Sequence, residues 1–448
     1  MIVDSIFLNA KAYLKGQIVD CCIAIEEGKI YKIGKETQMP GADEKTDLHN
    51  LLVLPGLIDE HVHLRDEYKA YKEDFTSGTS AAAAGGFTTV LDMPNNDPIT
   101  MSAKTLKNRR ETAQRRILVN TGFYSEFPRT LPEIREVAEE GAVAFKLFMG
   151  NQVGGVNIDD DAAITGALRA IAETKLPVAV HAEDHTVLAT NETKLRQAKK
   201  NAPADYLRAH TKAAELQAVQ RILKLSAGTN VQLHFCHIST KEGLGAIVEA
   251  KKTQKTVTCE VTPNHLMLTS DELQRYGSLV IMAPPPRDRL QVEALWRGLD
   301  DGSVDTLGSD HAPHTLEEKQ VSNVWDVKAG IPGLEVTLPL MLSMVKKNRL
   351  SLNQVVTLLA EKPAKIYGLT DKGHLETGKA ADLTIVNYNN QFKINASKFK
   401  SKAKFSPYNG WEINGKPIKT VVGGQLVYDD DEIVAKGGTG RIARGDTP

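Results

Sequence analysis

Two histidines that follow an apolar run are the first side chains in this sequence that could do chemistry. His61 and His63 are separated by a single residue. In an extended chain, residues i and i+2 point to the same side, so the two imidazoles could bind one metal ion. The pair alone is weak evidence, because many histidines serve only as hydrogen-bonded structural groups. The interpretation therefore depends on the rest of the chain.

Four more polar residues lie in or just after later apolar, β-like runs: Lys146, His181, His237 and Asp310. The carboxyl ends of strands in a parallel barrel meet at one face, so such residues become neighbours although they are far apart in sequence. The alternative is a set of separate buried groups, each with its own hydrogen bonds, which would need six independent coincidences. Imidazole and carboxylate ligands favour Zn²⁺, although ligand type alone does not exclude Co²⁺ or Mn²⁺.

The lysine needs a separate explanation. Lys146 lies inside an apolar run, where burial disfavours an ammonium ion and lowers the pKa of the amine. A neutral amine can react with CO₂ to give a carbamate, which would act as a bridging carboxylate. A lone lysine would more often extend its charged end to solvent or to an acidic partner. The presence of five other potential metal ligands favours a role for Lys146 in the same site.

The runs that carry these residues indicate the fold class. Eight short apolar, β-branched runs alternate with helix-forming stretches, as in repeated βα units around a parallel sheet. Eight units predict an α/β fold, the (β/α)8 or TIM barrel. The predicted strands are 53–59, 87–92, 118–124, 142–148, 177–181, 231–237, 256–261 and 304–309.

The ends of the chain fall outside this barrel. We predict that 1–52 and 373–448 form a small composite β-sandwich around a barrel of residues 53–372. The long stretch 314–333 after the eighth strand is typical of a lid or specificity loop. The Gly-rich, polar end, 436–448, predicts a mobile tail.

Composition excludes several classes of function. The 448 residues include 55 Lys and Arg against 56 Asp and Glu, so no overall field would hold the protein on nucleic acid or an anionic membrane. No apolar run approaches membrane-spanning length, and the start has no secretory leader pattern. The four cysteines form no disulfide framework. A cytoplasmic location is expected.

Five segments give the chain a clear resemblance to a known family. They are 55–65, 85–95, 259–265, 309–315 and 330–335, and the likeness extends over most of the sequence. The chain resembles the amidohydrolase superfamily and, within it, the dihydroorotase family. That resemblance implies a centre of two Zn²⁺ ions, with an accessory β domain beside the barrel.

The resemblance also assigns roles. It implies that His61, His63 and Asp310 bind one ion, that His181 and His237 bind the other, and that carbamylated Lys146 bridges them. A metal-bridging hydroxide would attack the ring amide, and Asp310 would be the catalytic general base and then general acid. The residues implied to bind the substrate carboxylate are Arg65, Asn95 and His314.

The reaction implied is the reversible hydrolysis of L-dihydroorotate to N-carbamoyl-L-aspartate in de novo pyrimidine (UMP) biosynthesis. The partners this suggests are a second copy of the chain or aspartate carbamoyltransferase. Other cyclic amidohydrolases, the allantoinases and the hydantoinases or dihydropyrimidinases, are the main alternative, but they generally lack an arginine at the place of Arg65. An inactive barrel scaffold is disfavoured because all six metal-ligand positions are filled.

Two places depart from the family pattern. The residues after Arg65 are Asp66 and Glu67 rather than an acidic residue followed by Pro-Gly, and Ala283 stands where bacterial relatives often have asparagine. Cys236 and Glu260 match positions that bind an additional metal in some relatives. A core thiol and a hydrogen-bonded carboxylate explain them at least as well.

Overall fold

The computed structural model describes residues 2–445, and two β-sheets contain all the named strands of that range. The strands are β1 (Ile2–Leu14), β2 (Gln17–Glu26), β3 (Lys29–Gly34), β4 (Gly41–Asp47), β5 (Leu52–Pro55), β6 (Leu57–Val62), β7 (Phe87–Asp92), β8 (Asn120–Glu126), β9 (Ala144–Phe148), β10 (Val178–His181), β11 (Leu233–Phe235), β12 (Val257–Val261), β13 (Thr306–Leu307), β14 (Leu383–Lys393), β15 (Glu412–Val422), β16 (Gln425–Asp429) and β17 (Glu432–Ile433).

Strands β6 to β13 form a (β/α)8 TIM barrel, as the sequence predicts. They lie in chain order and each pairs in parallel with the next. A parallel bridge between Val62 and His311 connects the first strand to the chain after the last. Helices cover the outside, so the strands are buried on both faces, and this is why their sequences are nearly continuous apolar runs.

The helices separate the barrel strands and continue after them. They are α1 (Phe75–Ala84), α2 (Ala103–Gln114), α3 (Leu131–Glu140), α4 (Asp161–Thr174), α5 (His185–Gln197), α6 (Pro203–Ala209), α7 (Lys212–Ser226), α8 (Lys241–Lys251), α9 (Pro263–Met267), α10 (Glu272–Tyr276), α11 (Arg289–Asp300), α12 (Leu316–Lys319), α13 (Leu334–Lys346), α14 (Leu352–Val356) and α15 (Lys362–Ile366). None of the helices within residues 2–445 is long and apolar enough to cross a membrane.

The remaining nine strands form a second sheet built from both chain ends. Its order is β17-β16-β15-β14-β5-β1-β2-β3, with β4 paired to β1. Residues from distant parts of the sequence share its core, for example Phe7 and Ile23 with Leu383 and Ile385. The predicted accessory β domain is thus present as a nine-stranded sheet, mostly antiparallel.

The first predicted barrel strand, 53–59, is wrong in one respect. Its first residues belong to β5, which pairs with β1 and β14 in the second sheet, and the barrel begins only with β6. Gly56 separates the two strands. A Cβ atom on Gly56 would lie 2.3 Å from Thr88 Oγ1, so the chain passes between the sheets where only glycine fits. A continuous apolar run contains no signal for this change of sheet.

The predicted mobile tail is also wrong over most of its length. The backbone N–H groups of Gly438 and Ala443 donate to the carbonyls of Ile117 and Thr121, and the Thr121 N–H donates to Arg441, each over 2.9 Å. The tail therefore packs beside the start of β8 and is held by main-chain hydrogen bonds. Residues 446–448 lie outside the described range.

Candidate metal centre

The six predicted metal ligands all lie toward the carboxyl ends of barrel strands. His61 is in β6, Lys146 is in β9, and His181 is the last residue of β10. His63 follows β6, His237 follows β11 and Asp310 follows β13. Four histidines and the aspartate line one cavity of about 480 Å³, while Lys146 is buried next to it.

His61, His63 and Asp310 form the first group of potential ligands. Asp310 Oδ1 lies 3.4 Å from His61 Nε2 and 3.3 Å from His63 Nε2. The other ring nitrogens are occupied, because His61 Nδ1 contacts Glu260 at 3.0 Å and His63 Nδ1 contacts Asn95 Oδ1 at 2.7 Å. Both Nε2 atoms are thus directed to Asp310, which suits ligation of one ion.

The charge states in this group suit cation binding. Burial lowers the pKa of His63 to about 3, so its imidazole is neutral and can offer a lone pair. Burial raises the pKa of the Asp310 carboxyl. The neighbouring His61 and His63 lower it by more than burial raises it, so the net pKa lies below the ordinary value. Asp310 is therefore an anion beside the neutral His63. Burial lowers the pKa of His61, but Glu260 and Asp310 raise it by more, so its net pKa lies well above the ordinary value and His61 would release a proton on binding a cation.

His181 and His237 form the second group. His181 Nδ1 lies 3.1 Å from His237 Nε2, and the ring centroid of His237 is 5.2 Å from that of His61. Burial, together with the neighbouring imidazoles, lowers the pKa of His237 well below its ordinary value. Two facing imidazole nitrogens can both keep their lone pairs only if a cation lies between or beside them, so this pair also fits a metal ion.

Lys146 is fully buried between these groups. Its Nζ donates a hydrogen bond to Cys236 Sγ at 2.9 Å and lies 5.0 Å from the centroid of the Phe148 ring. Within residues 2–445 it forms no ion pair with a carboxylate. Glu126, the register partner of Lys146 on β8, is also buried and interacts with it electrostatically.

Arg65 provides the main positive group of the cavity. Its side chain is buried, its backbone has a φ of +56°, and burial lowers its pKa. One terminal nitrogen lies 3.3 Å from His314 Nε2, but Nε has no hydrogen-bond partner within residues 2–445. Asn95 and Ala283 line the same cavity. The residues predicted to bind the substrate, Arg65, Asn95 and His314, thus lie close together, and His314 contacts Arg65.

The turn after Arg65 differs from the family pattern and is held in a way the sequence did not reveal. Arg65, Asp66 and Glu67 all have positive φ, and a short 3-10 helix follows. Arg109 from α2 donates to the Arg65 carbonyl at 3.1 Å and to Asp92 Oδ2 at 2.6 Å. Arg109 therefore stabilises the strained backbone that directs the Arg65 side chain into the cavity.

The segment 314–333 contains α12 and a short 3-10 helix. His314 contacts Glu318 and the Ala329 carbonyl, each at 3.1 Å. Lys319, which is fully buried, donates to three backbone carbonyls, including that of Gly330. The segment is therefore a well-bonded wall of the cavity. Its predicted motion as a lid stays a prediction.

Sequence reasoning missed Glu183. One of its oxygens lies 3.1 Å from His181 Nε2 and the other 2.8 Å from His210 Nδ1. Glu183 thus contacts His181 Nε2, the ring nitrogen that faces away from His237. A carboxylate two residues after a predicted ligand was the available signal. Glu260 is a hydrogen-bonded carboxylate, because it accepts from the His237 N–H at 2.9 Å as well as contacting His61.

Comparison with known proteins places this arrangement in a family. The amidohydrolase family model matches residues 52–427. A dihydroorotase from Methanothermobacter thermautotrophicus is 37% identical over 421 residues, which cover 93% of each chain. An L-hydantoinase from Paenarthrobacter aurescens is 34% identical over 446 residues, covering 98% of this chain and 97% of its own.

The fold comparison gives the same result. The solved structure of L-hydantoinase (dihydropyrimidinase) from Arthrobacter aurescens has a TM-score of 0.94 and 33% sequence identity, covering 99% of this chain and 100% of that chain. Dihydroorotases and hydantoinases are therefore similarly close, and the likeness to both is nearly full-length. From the barrel, the donor set at its carboxyl face and these matches, we conclude that the protein belongs to the amidohydrolase family.

Proposed function

We propose that this amidohydrolase is a dihydroorotase, which interconverts L-dihydroorotate and N-carbamoyl-L-aspartate in pyrimidine synthesis. The observation that carries the proposal is the buried guanidinium of Arg65, whose Nε has no partner within residues 2–445. An arginine can bind a carboxylate through two parallel hydrogen bonds. Dihydroorotate has such a carboxylate on its ring, whereas hydantoin, allantoin and dihydrouracil do not.

The metal centre belongs to the same proposal. His61, His63 and Asp310 would hold one Zn²⁺, His181 and His237 the other, and Lys146 would join them as its carbamate. The two ions would supply an acidified water and polarise the ring carbonyl. Glu183, Glu260 and Asn95 would keep the imidazoles in the tautomers that ligation requires, since each contacts a ring nitrogen.

Asp310 is the proposed proton carrier. The neighbouring imidazoles hold its pKa below the ordinary value, so it enters the reaction ionised and can accept a proton at a carboxylate oxygen. It would return that proton to the ring nitrogen that leaves during hydrolysis. In the opposite direction the carboxyl group of carbamoyl-aspartate loses water as the ring closes, so acidic conditions favour the cyclic product.

Arg65, Asn95 and His314 are the proposed carboxylate-binding residues. Burial and the cations of Arg65 and Lys72 lower the pKa of His314 to about 2, so a neutral imidazole lies against the guanidinium. Arg65 therefore remains the main positive charge that would meet the substrate. A ring without a carboxylate would leave this donor desolvated and unpaired, at a cost of about 1–3 kcal/mol.

A hydantoinase or dihydropyrimidinase is the second candidate, because the L-hydantoinase relatives are nearly as similar as the dihydroorotases. The test compares metal-loaded wild type with Arg65→Ala on dihydroorotate, hydantoin, allantoin and dihydrouracil. Arg135→Ala is the control, because Arg135 is an exposed arginine that forms a surface ion pair with Glu139. We expect Arg65→Ala to lower kcat/KM for dihydroorotate by about 100-fold or more.

The pattern across substrates decides between the two candidates. Turnover of dihydroorotate alone, lost in Arg65→Ala and retained in Arg135→Ala, supports the dihydroorotase. Preference of the wild type for an uncharged ring contradicts it and leaves the family assignment in place.

A further inference from the structure

A second cluster of buried polar groups lies in the barrel beyond the candidate metal centre. Glu60 is on β6, His234 on β11 and Glu260 on β12, and all three side chains are fully buried. One ligand atom from each lies within 4.8 Å of the other two. Glu260 Oε2 is 3.9 Å from His234 Nε2. The barrel strands thus bring three potential ligands together that the proposed mechanism does not use as ligands.

His234 has one ring nitrogen with a partner and one without. Its Nδ1 lies 2.9 Å from Thr258 Oγ1, and that hydroxyl lies 3.2 Å from the Leu233 carbonyl. When the Thr258 hydroxyl donates to Leu233, it accepts from the Nδ1–H of His234, and Nε2 then offers a lone pair on the side of Glu260. A metal ion at Nε2 would select this tautomer.

Several polar atoms of the cluster form no hydrogen bond within residues 2–445. His234 Nε2 and both carboxylate oxygens of Glu60 are buried without a hydrogen-bond partner within residues 2–445. The hydroxyls of Thr306 and Tyr367, which lie beside Glu60, also have no partner in that range. Buried polar atoms without partners are rare in folded proteins, so this group needs an explanation. Because the ligand atoms of Glu60, His234 and Glu260 all lie within 4.8 Å of one another, a single cation between them would be a partner for each.

The other faces of the cluster are already occupied. Glu260 Oε1 accepts from the His237 N–H, and His61 Nδ1 lies 3.0 Å from Oε1 and 3.2 Å from Oε2 of Glu260. The thiol of Cys236 accepts from Lys146. The unused coordinating capacity is consequently on the side of Glu60 and His234. This separates the cluster from the Cys236 side of Glu260.

We propose that Glu60, His234 and Glu260 bind a divalent first-row transition ion in the barrel interior. One imidazole and two carboxylates suit Zn²⁺, Mn²⁺ or Fe²⁺, and a charge of +2 balances the two carboxylates. The hydroxyls of Thr306 and Tyr367 are available as further oxygen ligands. Such an ion would fix the position of the Glu260 carboxylate. Because Glu260 contacts His61, the ion would also fix the orientation of that imidazole.

Metal content and ion position test this site without any substrate, so the result does not depend on the proposed dihydroorotase activity. Full-length wild type, Glu60→Gln and Glu335→Gln are stripped of metal, dialysed against Zn²⁺ alone and analysed for bound zinc. Glu335 is the control, because its carboxylate accepts from the backbone N–H groups of Lys400 and Ser401 outside the cluster. We expect Glu60→Gln to bind one ion fewer than both wild type and Glu335→Gln.

Anomalous diffraction at the zinc edge from wild-type crystals supplies a measurement that does not require the variant to fold. A peak between Glu60, His234 and Glu260 supports the site. Equal zinc content in all three proteins, or a wild-type map without that peak, overturns it. An infrared band of a protonated carboxyl group that disappears in Glu60→Gln would show that a proton neutralises the cluster instead of an ion.

Discussion

Three of the four candidate histidine ligands use one ring nitrogen to contact a side chain that is not itself a proposed ligand. His61 contacts Glu260, His63 contacts Asn95 and His181 contacts Glu183. Each contact fixes which nitrogen stays free, and in each case the free nitrogen faces another member of the centre. The partners are of two kinds, since Glu260 and Glu183 are carboxylates and Asn95 is a neutral amide. The amide therefore orients an imidazole without adding charge.

Asn95 consequently has two separable roles. Its Oδ1 accepts from His63 Nδ1, and the same side chain lines the cavity where we propose that substrate binds. Asn95→Leu should lower zinc affinity by about 10–100-fold, because His63 loses the partner that fixes its tautomer. Competition with a chromogenic chelator measures this affinity.

Asn95→Asp is the matched control for that change. Aspartate retains an oxygen acceptor for His63 but adds a negative charge to the cavity. We expect near-normal zinc affinity with a raised KM for a carboxylate-bearing substrate. Equal zinc affinity in wild type and Asn95→Leu would contradict the orienting role.

At the scale of elements, the sequence predicts the barrel well because its strands are buried on both sides. Continuous apolar runs mark them, and the candidate ligands follow from parallel topology, which brings strand ends together. Where a run changes sheet, as at Gly56, or where the tail pairs with Thr121, the partner is distant in sequence and the local pattern contains no trace of it.

Pairings between side chains were harder to predict than the ligands themselves. The contacts of Glu183 with His181 and of Arg109 with the turn at Arg65 depend on side-chain conformations and on the packing of separate elements. Residue type at a strand end indicates chemistry, but it does not identify the neighbour that orients each group. The substrate-binding role proposed for Arg65 depends on the resemblance of the surrounding motif to a family, because no local pattern distinguishes an arginine that binds a carboxylate.

Lys319 in α12 shows how one side chain holds an element in place. Its Nζ donates to the carbonyls of Ile281, Lys328 and Gly330 over 2.7 to 3.1 Å. These carbonyls belong to the two segments that carry Ala283 and Ala329, both of which line the cavity. The Lys319 side chain therefore joins the cavity wall to the chain after α10.

Replacing Lys319 should destabilise this wall of the cavity. Lys319→Met leaves three carbonyls without their donor, which should lower the free energy of unfolding by about 1–3 kcal/mol and speed amide exchange around residues 328–330. Lys328→Met is the control in the same segment, because Lys328 is exposed. Unchanged exchange in Lys319→Met would show that the wall does not depend on this ammonium group.

At the scale of the whole molecule, Asp382 joins the barrel to the second sheet. Its Oδ2 accepts from Asn120 in the barrel and from Lys372, and its Oδ1 accepts from the Gly423 N–H in the turn between β15 and β16. Its carbonyl also accepts from the Gly56 N–H at 2.8 Å, where the chain passes from one sheet to the other. One buried aspartate thus bonds to both sheets.

Asp382→Ala should lower the free energy of unfolding of the whole molecule while leaving the cavity at the carboxyl face of the barrel intact. It removes the acceptor of three donors and leaves the Lys372 ammonium without its close counter-charge, so we expect a loss of about 3–5 kcal/mol in the free energy of unfolding. Asp371→Ala is the control, because Asp371 lies 3.7 Å from Lys372 and is largely exposed, and it should cost about 0.5 kcal/mol or less. Urea denaturation followed by tryptophan fluorescence measures both. Since Asp382 does not line the cavity, kcat at 25 °C should stay near wild type in the folded variant, and equal stability of the two variants would refute the joining role.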